Sequence, residues 1–487
     1  MALLRALPAA ASAVVFTAAA SASAPAPMDH HGRGVAARAD ASCPNTLQVA
    51  YGPPVAAKGW QYRLAATGFR KPRGIAFDSA GGLLVVDSGV GVFRVALEQD
   101  KGQTCVVTGA PRKIINSTEL NHGLALSADG STLYASSSSR VFAWAYDAKA
   151  GAVGDANRTV VANMSSTDKT TRTLLASRRQ PGVLVVSRGT VDDGDAAAGN
   201  KASGHAQIRA FDVGRLGARD AAYDFGDGAV LGWGLRNSVG VAEDPATGGI
   251  WSVENSVDVL TRAGVDIHSD NPAEELNYHG RLNDSATAKD QGGNYGFPLC
   301  YALWNTTGFP DLGALKTGDQ VPGPAGEVKK LSDASCNTDY VPPRLAFQAH
   351  TAPLDIKFNA DGSKAFITFH GSWDRKVPIG YRIASVDFNK DTGEPSAAHD
   401  STTAAVDVLS TPDLTKCPDG CFRPVGLAWD SQGRLWASSD STGEIFVLYQ
   451  NGTTDGGGSG GARPLVADRA ATWAVLLAAV AAGLLLA

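Results

Sequence analysis

Six stretches of the chain are rough copies of one another, and this repetition restricts the fold more than any other feature. Each copy is a short alternating strand, a turn built on Asp, Gly or Pro, and a second apolar strand. The copies begin at Pro72, Asn121, Arg172, Val239, Leu354 and Pro424. Alternation at period two followed by turn residues indicates paired antiparallel strands, and repetition at about the length of a four-stranded unit is typical of a propeller blade. Because a closed ring of blades buries sheet edges and faces, the sequence predicts an all-β, six-bladed β-propeller.

The two ends of the chain predict processing and anchoring. Residues 1–24 match a secretory signal peptide, and residues 25–42 are predicted to be a flexible leader before a propeller that spans 43–450. A linker and GPI-attachment region at 451–471 precedes a hydrophobic GPI-signal tail at 472–487. The apolar tail is shorter than the roughly 20 residues that a spanning helix needs, although a true tail anchor is the alternative. We therefore expect a secreted protein held at the extracellular face of the plasma membrane by a GPI anchor.

Glycosylation sequons and cysteines agree with passage through an oxidising compartment. The six Asn-x-Ser/Thr sequons begin at Asn116, Asn157, Asn163, Asn283, Asn305 and Asn451. Six cysteines make three disulfides plausible. Their order leaves the pairing open, with Cys43–Cys105, Cys300–Cys336 and Cys417–Cys421 as candidates. A zinc site is the rival interpretation, but the spacing matches no standard finger.

Overall charge excludes one class of partner. The formal net charge is -5, with both signs mixed along the chain, which lacks the basic footprint of a nucleic-acid-binding protein. We expect a monomer whose only link to the membrane is the anchor.

Cationic and imidazole side chains recur where the repeats begin. Because the inner strands of a propeller point their ends at the central axis, these side chains are expected to converge on one mouth. The residues are Arg73, His122, Lys169, Arg172, Arg236, His350 and Arg423, with Asn121 and Asn237 beside them and the segment 370–375 following the second strand of the fifth repeat. Arginine binds carboxylates in a bidentate manner, and Trp373 offers a flat face for stacking. The pattern predicts a positive funnel suited to an anionic ligand with several carboxylates or phosphates.

Five short motifs, in this order along the repeats, carry a family resemblance. They are Gly234–Asn237, Asn271–Asn277, Gly292–Pro298, His370–Arg375 and Phe422–Val425. From about Cys43 to Tyr449 the chain resembles the soluble quinoprotein glucose and sorbosone dehydrogenases, above all the fungal secreted pyranose dehydrogenases that use pyrroloquinoline quinone (PQQ). The resemblance implies a six-bladed propeller that oxidises a sugar by hydride transfer to Ca²⁺-bound PQQ. It also implies an external electron acceptor, whether a quinone, a haem protein or a copper oxygenase.

The resemblance implies roles for individual residues of this chain. PQQ would be held by Arg73, Asn237, His350, His370, Trp373, Asp374 and Arg423. Calcium takes oxygen ligands, and the loop before the Glu-Leu-Asn motif would supply them from Ser269 and Asp270, with Asn271 possible. Glu274 and Glu275 would either hold a second, structural ion or be solvated loop carboxylates.

The general base is where the chain departs from the family pattern. In the relatives it is a histidine at the start of the third unit, just ahead of a Thr-Arg pair, and the equivalent residue here is Lys169. A lysine with an ordinary pKa near 10.4 is a poor base at neutral pH, unless burial and neighbouring charges lower it. Three possibilities stay open: Lys169 is the base, His122 takes the role, or turnover is lost. Arg236 is predicted to lie near the reacting oxygens as a catalytic residue.

Two other functions fit the same fold, because propellers host many activities. A calcium-dependent lactonase-type hydrolase would need carboxylates and amides at the blade starts, where this chain has Arg, His and Lys. A non-catalytic or degenerate carbohydrate-binding propeller is supported by the lysine at position 169. Binding of PQQ distinguishes the dehydrogenase from both.

Overall fold

The chain forms a ring of antiparallel sheets. A computed structural model describes residues 43–100, 105–192, 194–217, 220–282 and 291–450. In that part of the chain, six sheets have four or more strands, and three further pairs of strands form small hairpins. Each large sheet contains one of the six sequence repeats as its two inner strands, so the predicted six-bladed β-propeller is confirmed.

The first three blades follow one another along the chain, each from its inner strand outward. Blade 1 consists of Pro72–Phe77, Leu83–Asp87, Gly91–Val95 and Arg112–Asn116. Blade 2 consists of Leu124–Leu126, Thr132–Ser136, Val141–Asp147 and Ala152–Ala162, with Tyr223–Asp224 added in parallel at its outer edge. Blade 3 consists of Leu174–Ala176, Val183–Arg188, Gln207–Asp212 and Ala229–Trp233, with Gly293–Asn294 added in parallel.

The last three blades complete the ring. Blade 4 consists of Ser238–Glu243, Gly249–Glu254, Glu274–Arg281 and Leu345–Phe347. Blade 5 consists of Pro353–Phe358, Lys364–Phe369, Arg382–Asn389 and Val406–Ser410, extended by Val55–Ala56 and Glu394–Pro395. Blade 6 consists of Pro424–Trp429, Leu435–Ser439, Glu444–Gln450 and Trp60–Ala66.

Closure of the ring joins the two ends of the propeller. Trp60–Ala66 pairs antiparallel with Glu444–Gln450, so the outermost strand of blade 6 comes from the start of the domain. Apolar residues from both strands, including Leu64 and Phe446, are buried in one cluster. The pairing covers the edge of Glu444–Gln450 that would otherwise be open, which is how a propeller limits exposed sheet edges.

Glycines in the inner strands let neighbouring blades approach closely at the axis. A Cβ on Gly74 would lie 2.4 Å from the carbonyl oxygen of His122, and one on Gly123 would lie 2.1 Å from that of Arg172. Both distances are far below a normal contact, so a side chain here would force the strands apart. The glycine of the repeat therefore sets the narrow spacing of the blades around the axis.

Hairpins and short helices lie in the connections between the blade strands. The hairpins pair Leu97–Asp100 with Val106–Thr108, Thr261–Arg262 with Val265–Asp266, and Cys300–Ala302 with Gln320–Pro322. The α-helices are Pro324–Val328 and Asp333–Asp339. The 3₁₀ turns are Ala196–Gly199, Lys201–Ser203, Val213–Arg215, Phe225–Asp227 and Leu414–Lys416.

All six cysteines form disulfides. The pairs are Cys43–Cys105, Cys300–Cys336 and Cys417–Cys421, which selects one of the arrangements that the sequence left open. The predicted signal peptide, leader, attachment region and tail lie outside the described residues. Among the helices of the described ranges, none has the length and apolar character needed to cross a bilayer.

Candidate functional site

A cavity of about 290 Å³ brings together six of the predicted site residues. Its lining comes from blade ends and connecting loops, and comprises Asp168, Lys169, Arg236, Asn237, Asn255, Ser256, Asp258, Glu274, His350, Ala352, Trp373 and Asp374. Four of these side chains are carboxylates, against one lysine and one arginine. The cavity is thus of mixed charge rather than the purely positive funnel that the sequence predicted.

Lys169 lies on the blade 3 side of the cavity. Its ammonium forms an ion pair with Asp168, and its side chain is only 15% exposed. Gly189 makes room for it, since a Cβ at that position would lie 2.9 Å from Cβ of Lys169 and 2.8 Å from Oδ1 of Asn237. Lys169 and Asn237 therefore both pack close to the backbone of Gly189, where a side chain would not fit.

Arg236 lines the cavity just before the first strand of blade 4. Its guanidinium donates from Nη2 to Oδ2 of Asp258 at 2.8 Å and from Nη1 to the carbonyl of Ser256, and its backbone N–H donates to Glu254. The side chain is 4% exposed. Arg236 thus fixes the loop that carries Asp258 into the cavity.

His350 and Asp374 lie next to each other in the cavity lining. Nε2 of His350 bonds the carbonyl oxygen of His268, which can only accept, so in the neutral ring the proton is on Nε2 and Nδ1 carries a lone pair. Nδ1 lies 3.2 Å from Oδ2 of Asp374, a buried oxygen with no hydrogen-bond donor among the described residues. Two acceptors at this distance repel unless a proton or a metal cation lies between them.

A third ligand atom completes a group that could bind a metal ion. Asp258, His350 and Asp374 each place one potential ligand atom within 4.8 Å of the others. Asp258 was missed by sequence reasoning, because a single aspartate in a loop has no distinguishing pattern.

The two predicted calcium ligands lie beside this group rather than in it. Asp270 accepts a hydrogen bond from Arg375 at 3.1 Å, and Ser269 is exposed. Neither lines the cavity. Their loop nevertheless reaches the site, because the carbonyl of the preceding residue, His268, holds the ring of His350.

Glu274 and Glu275 are buried in a central strand of blade 4, so the interpretation as solvated loop carboxylates is wrong. Glu274 lines the cavity and accepts from the backbone N–H groups of Ser256 at 2.8 Å and Ala352 at 3.1 Å. Burial raises the pKa of Glu274 to about 8, despite these bonds. Burial likewise raises the pKa of Glu275 to about 7, opposed by the amide of Asn277.

The remaining predicted residues gather in a second group, the Asp440 cluster, made of Arg73, His122, His370, Arg423 and Asp440. Asp440 accepts from Nη1 of Arg73 at 2.6 Å and bonds Nε2 of His370 at 2.7 Å. Nη2 of Arg423 lies 3.0 Å from Nδ1 of His370. None of the five lines the cavity, but the cluster adjoins its wall because His370 and Asp374 belong to one short segment.

Hydrogen bonds fix both histidines of the Asp440 cluster as neutral rings. Arginine can only donate, so Nδ1 of His370 accepts from Arg423 and its Nε2–H donates to Asp440. Burial lowers the pKa of His370 to about 4. In the same way Nδ1 of His122 accepts from Arg73 at 3.2 Å and Nε2 meets Thr173 at 3.1 Å. Burial and the charge of Arg73 hold the pKa of His122 well below its ordinary value.

Asp440 was also missed by sequence reasoning. A signal did exist, since blades 1, 4 and 6 each carry a buried carboxylate at or just after the end of the second strand, namely Asp87, Glu254 and Asp440. In blades 1 and 4 this carboxylate accepts from backbone N–H groups, of Lys71 in one and Arg236 in the other. Glu254 also accepts from the side chains of Ser238 and Asn277. Asp440 differs in binding an arginine and a histidine, Arg73 and His370.

Trp373 stands at the rim of the cavity. Its side chain lines the opening, yet it is 70% exposed. The loop beneath it is fixed, because the backbone N–H of Ser372 donates to Ile379 at 2.9 Å and the Ser372 hydroxyl accepts from the N–H of Ile379 at 3.0 Å. The indole is thus a large aromatic face on a supported loop, open to a ligand.

Comparison with known proteins finds matches to one family, and these matches cover the whole propeller. A family model described as TrAA12-like matches residues 54–451. A curated PQQ-dependent sugar dehydrogenase from Hypocrea jecorina (strain QM6a) is 57% identical over 417 residues, which is 85% of this chain and 94% of that protein.

Two solved structures are similar in sequence and in backbone. The calcium structure of a Trichoderma reesei carbohydrate-active enzyme of family AA12 has 58% identity and a TM-score of 0.81, covering 84% of this chain and 99% of that one. The holo form of the PQQ domain of a pyranose dehydrogenase from Coprinopsis cinerea has 33% identity and a TM-score of 0.76, covering 84% of this chain and 99% of that one. The resemblance predicted from the motifs is confirmed. This chain belongs to the TrAA12-like family.

Proposed function

We propose that this protein is a PQQ-dependent sugar dehydrogenase, which oxidises a sugar hydroxyl with PQQ and Ca²⁺ as cofactors. The observation that carries the proposal is the similarity to the Hypocrea jecorina sugar dehydrogenase over most of both chains. The cavity supports it, because it combines a metal-binding group, a candidate base and an exposed aromatic face.

The residues present fit a cation at the cavity wall. Carboxylate oxygens are the ligands that calcium takes, and Asp258 and Asp374 supply them, with Nδ1 of His350 beside them. The buried Oδ2 of Asp374 accepts no hydrogen bond from the described residues, so this oxygen is available to ligate a cation. Asp258 and Asp374, with the loop of Ser269 and Asp270 next to them, would hold Ca²⁺.

The wall formed by Asp258, His350 and Asp374 is itself negatively charged. It fits the carboxylates of PQQ once a bound cation offsets that charge. When bound, PQQ supplies the hydride acceptor, and Ca²⁺ polarises it. Arg236 and Asn237 lie in the cavity where they can orient the sugar and the cofactor. Trp373 offers a stacking face at the rim, and Arg73, His370 and Arg423 stiffen the wall from behind through the Asp440 cluster.

Lys169 is the residue best placed to take the proton of the sugar hydroxyl. It lies in the cavity, whereas His122 is buried with both ring nitrogens hydrogen-bonded to Arg73 and Thr173. Because an ammonium has no lone pair, Lys169 must first pass a proton to the carboxylate of Asp168, with which it is already in contact. The resulting amine then accepts the proton of the sugar hydroxyl. The sugar hydroxyl loses a proton to the protein and its carbon loses a hydride to the cofactor, so an alcohol becomes a carbonyl or lactone.

The proposal extends to the cellular setting. Three disulfides suit an oxidising compartment, and the sequon asparagines Asn116 and Asn157 are exposed. We propose that the enzyme acts outside the cell, tethered by a GPI anchor, and passes electrons to a separate acceptor. Release of the protein from intact cells by phosphatidylinositol-specific phospholipase C tests the anchor. A protein that stays on the cells contradicts it.

Steady-state turnover tests the function itself. The purified protein, loaded with PQQ and Ca²⁺, is assayed for dye reduction with a panel of pyranoses, pentoses and L-sorbosone. We expect sugar-dependent dye reduction that stops when either cofactor is left out. Tight PQQ binding without reduction by any sugar would favour the non-catalytic propeller, and hydrolysis of sugar lactones without dye reduction would favour the lactonase.

A further inference from the structure

Arg172 is a buried arginine whose hydrogen bonds all go to one loop. It has 0% exposure and is among the largest fully buried side chains of the described residues. Nη1 donates to the carbonyls of Lys169 at 2.7 Å and Thr171 at 2.6 Å. Nη2 donates to Oγ of Ser166 at 2.5 Å and to the carbonyl of Met164. Within the described chain, no carboxylate is among its partners.

A charge in this environment must be held by fixed dipoles. Burying a guanidinium without a counter-ion is costly unless its N–H groups are satisfied. Nη1 and Nη2 have the partners given above, whereas the buried Nε has none among the described residues. Burial, together with the charge of Arg188, lowers the pKa of Arg172 to about 9. The loop carbonyls must therefore point at the guanidinium. Because the guanidinium is a rigid planar fork, it fixes the directions of those carbonyls in return.

The loop is also tied to its surroundings from outside. The backbone N–H of Asp168 donates to the carbonyl of Val191 at 3.0 Å, and Nδ2 of Asn121 donates to the carbonyl of Thr170 at 2.9 Å. Arg172 thus binds the loop from one set of carbonyls, and Asn121 and Val191 bind it at Thr170 and Asp168. Lys169, whose own carbonyl is bound by Arg172, places its side chain in the cavity.

We propose that Arg172 is the positioning residue of Lys169: its guanidinium organises the loop from Met164 to Thr171 so that the Lys169 side chain projects into the cavity. The catalytic consequence rests on the proposed function, but the placement of Lys169 does not. A guanidinium here acts through the loop backbone and does not contact the substrate.

The test compares two buried arginines. Arg172→Met removes the guanidinium and keeps much of the side-chain volume. Arg434→Met is the matched control, because Arg434 is also about fully buried, with 1% exposure, but pairs with Asp100 and Asp430 away from the cavity. Both variants and the unaltered protein are treated with formaldehyde and cyanoborohydride, and the methylation rate of Lys169 is followed by peptide mass spectrometry. Arg172→Lys serves as a second variant that keeps a positive charge in case Arg172→Met does not fold.

The expected result is faster methylation of Lys169 in the Arg172 variants and an unchanged rate in Arg434→Met, even though all three lower the melting temperature. An unchanged Lys169 rate in a folded Arg172 variant overturns the proposal, as does an equal rise in the control. With sugar as substrate, the Arg172 variants should lose kcat by about 100-fold, as for a misplaced catalytic group, with a smaller change in KM. If no sugar is oxidised even by the unaltered protein, the proposed function fails, while the methylation rates still decide the role of Arg172.

Discussion

Nε2 of His370 donates to Oδ1 of Asp440 over 2.7 Å, which joins the residue after the second strand of blade 5 to the residue after the second strand of blade 6. The other oxygen of the same carboxylate accepts from Arg73 in blade 1. One buried carboxylate thus links three consecutive blades at the point where the ring closes. The Asp440 cluster is therefore both a structural closure and the support behind the cavity wall.

Replacing Asp440 by asparagine should destabilise the protein strongly. Burial alone would raise the pKa of Asp440, but His370 and Arg73 outweigh burial and hold it well below its ordinary value, so the group is charged in the folded protein. Removing one partner of a buried pair costs about 3–5 kcal/mol. We expect Asp440→Asn to lower the free energy of unfolding in denaturant titrations by that amount.

The control for this prediction is Asp391→Asn, because the Asp391 side chain is 79% exposed in its pair with Lys390. Surface changes of this kind alter stability by about 0.5 kcal/mol or less. Equal unfolding free energies for the two variants would contradict the role given to Asp440.

The raised pKa of Glu274 should make the stability of the protein depend on pH. Its pKa rises from an ordinary 4.5 to about 8 in the folded protein, because burial disfavours the charged form. A group with a raised folded pKa stabilises the fold fully below its unfolded pKa, and this contribution is lost as the pH rises through the folded value. Between pH 4.5 and pH values above 8, unaltered protein should therefore lose more stability than Glu274→Gln.

The comparison is made by denaturant unfolding at both ends of that pH range, with divalent cations removed by chelation. Glu394→Gln is the control, since the Glu394 side chain is partly exposed, at 42%, in its pair with Arg344. Parallel pH curves for the unaltered protein and Glu274→Gln would show that the carboxyl is already ionised at low pH in the fold.

Adding one methyl group at Gly189 should disable the site without unfolding the propeller. The new Cβ would lie 2.8 Å from Oδ1 of Asn237 and 2.9 Å from Cβ of Lys169, so one of the two must move. A displacement of about 1 Å can lower kcat by about 100-fold. We expect this loss for Gly189→Ala in dye-reduction kinetics, and none for Gly154→Ala, whose Cβ would meet nothing closer than 3.6 Å. Equal kcat values in the two variants would place the chemistry elsewhere.

Exchanging Lys169 should identify the base. Lys169→Ala should lower kcat by about 10² to 10⁴-fold, the usual contribution of general base catalysis. Lys169→His restores the residue type that the family resemblance places at this position, and should retain turnover with an acid limb near the ordinary histidine pKa of about 6.5. Full activity in Lys169→Ala would return His122 to consideration.

The blades were predictable because each repeat carries its own local signal. Alternating strands and turn residues specify a hairpin within about 20 residues, and the hairpins starting at Pro72 and Pro424 are found as expected. The closing strand Trp60–Ala66 has no such local signal. Its partner is Glu444–Gln450 at the other end of the domain, and pairing over that separation depends on the whole ring.

The sequence predicted several residues of the site, but not which of them lie together. Position within a repeat led to Lys169, Arg236 and His350, which do line one cavity. The same reasoning placed Arg73 and Arg423 with them. These arginines instead bind Asp440 and His370 within the Asp440 cluster.

Burial explains the other differences. The sequence allowed either an ion ligand or a solvated loop carboxylate at Glu274, because a charged residue seldom lies in a core strand. Its backbone partners, Ser256 and Ala352, come from segments far apart in sequence, so only the folded chain reveals them.

Binding of PQQ is the measurement that tests the central claim most directly. The purified protein is titrated with PQQ by calorimetry in the presence of Ca²⁺ and again with the calcium chelated. The account predicts saturable binding at a single site with calcium, and binding that is greatly weakened without it. No heat of binding under either condition would contradict the account and leave a propeller whose cavity serves another ligand.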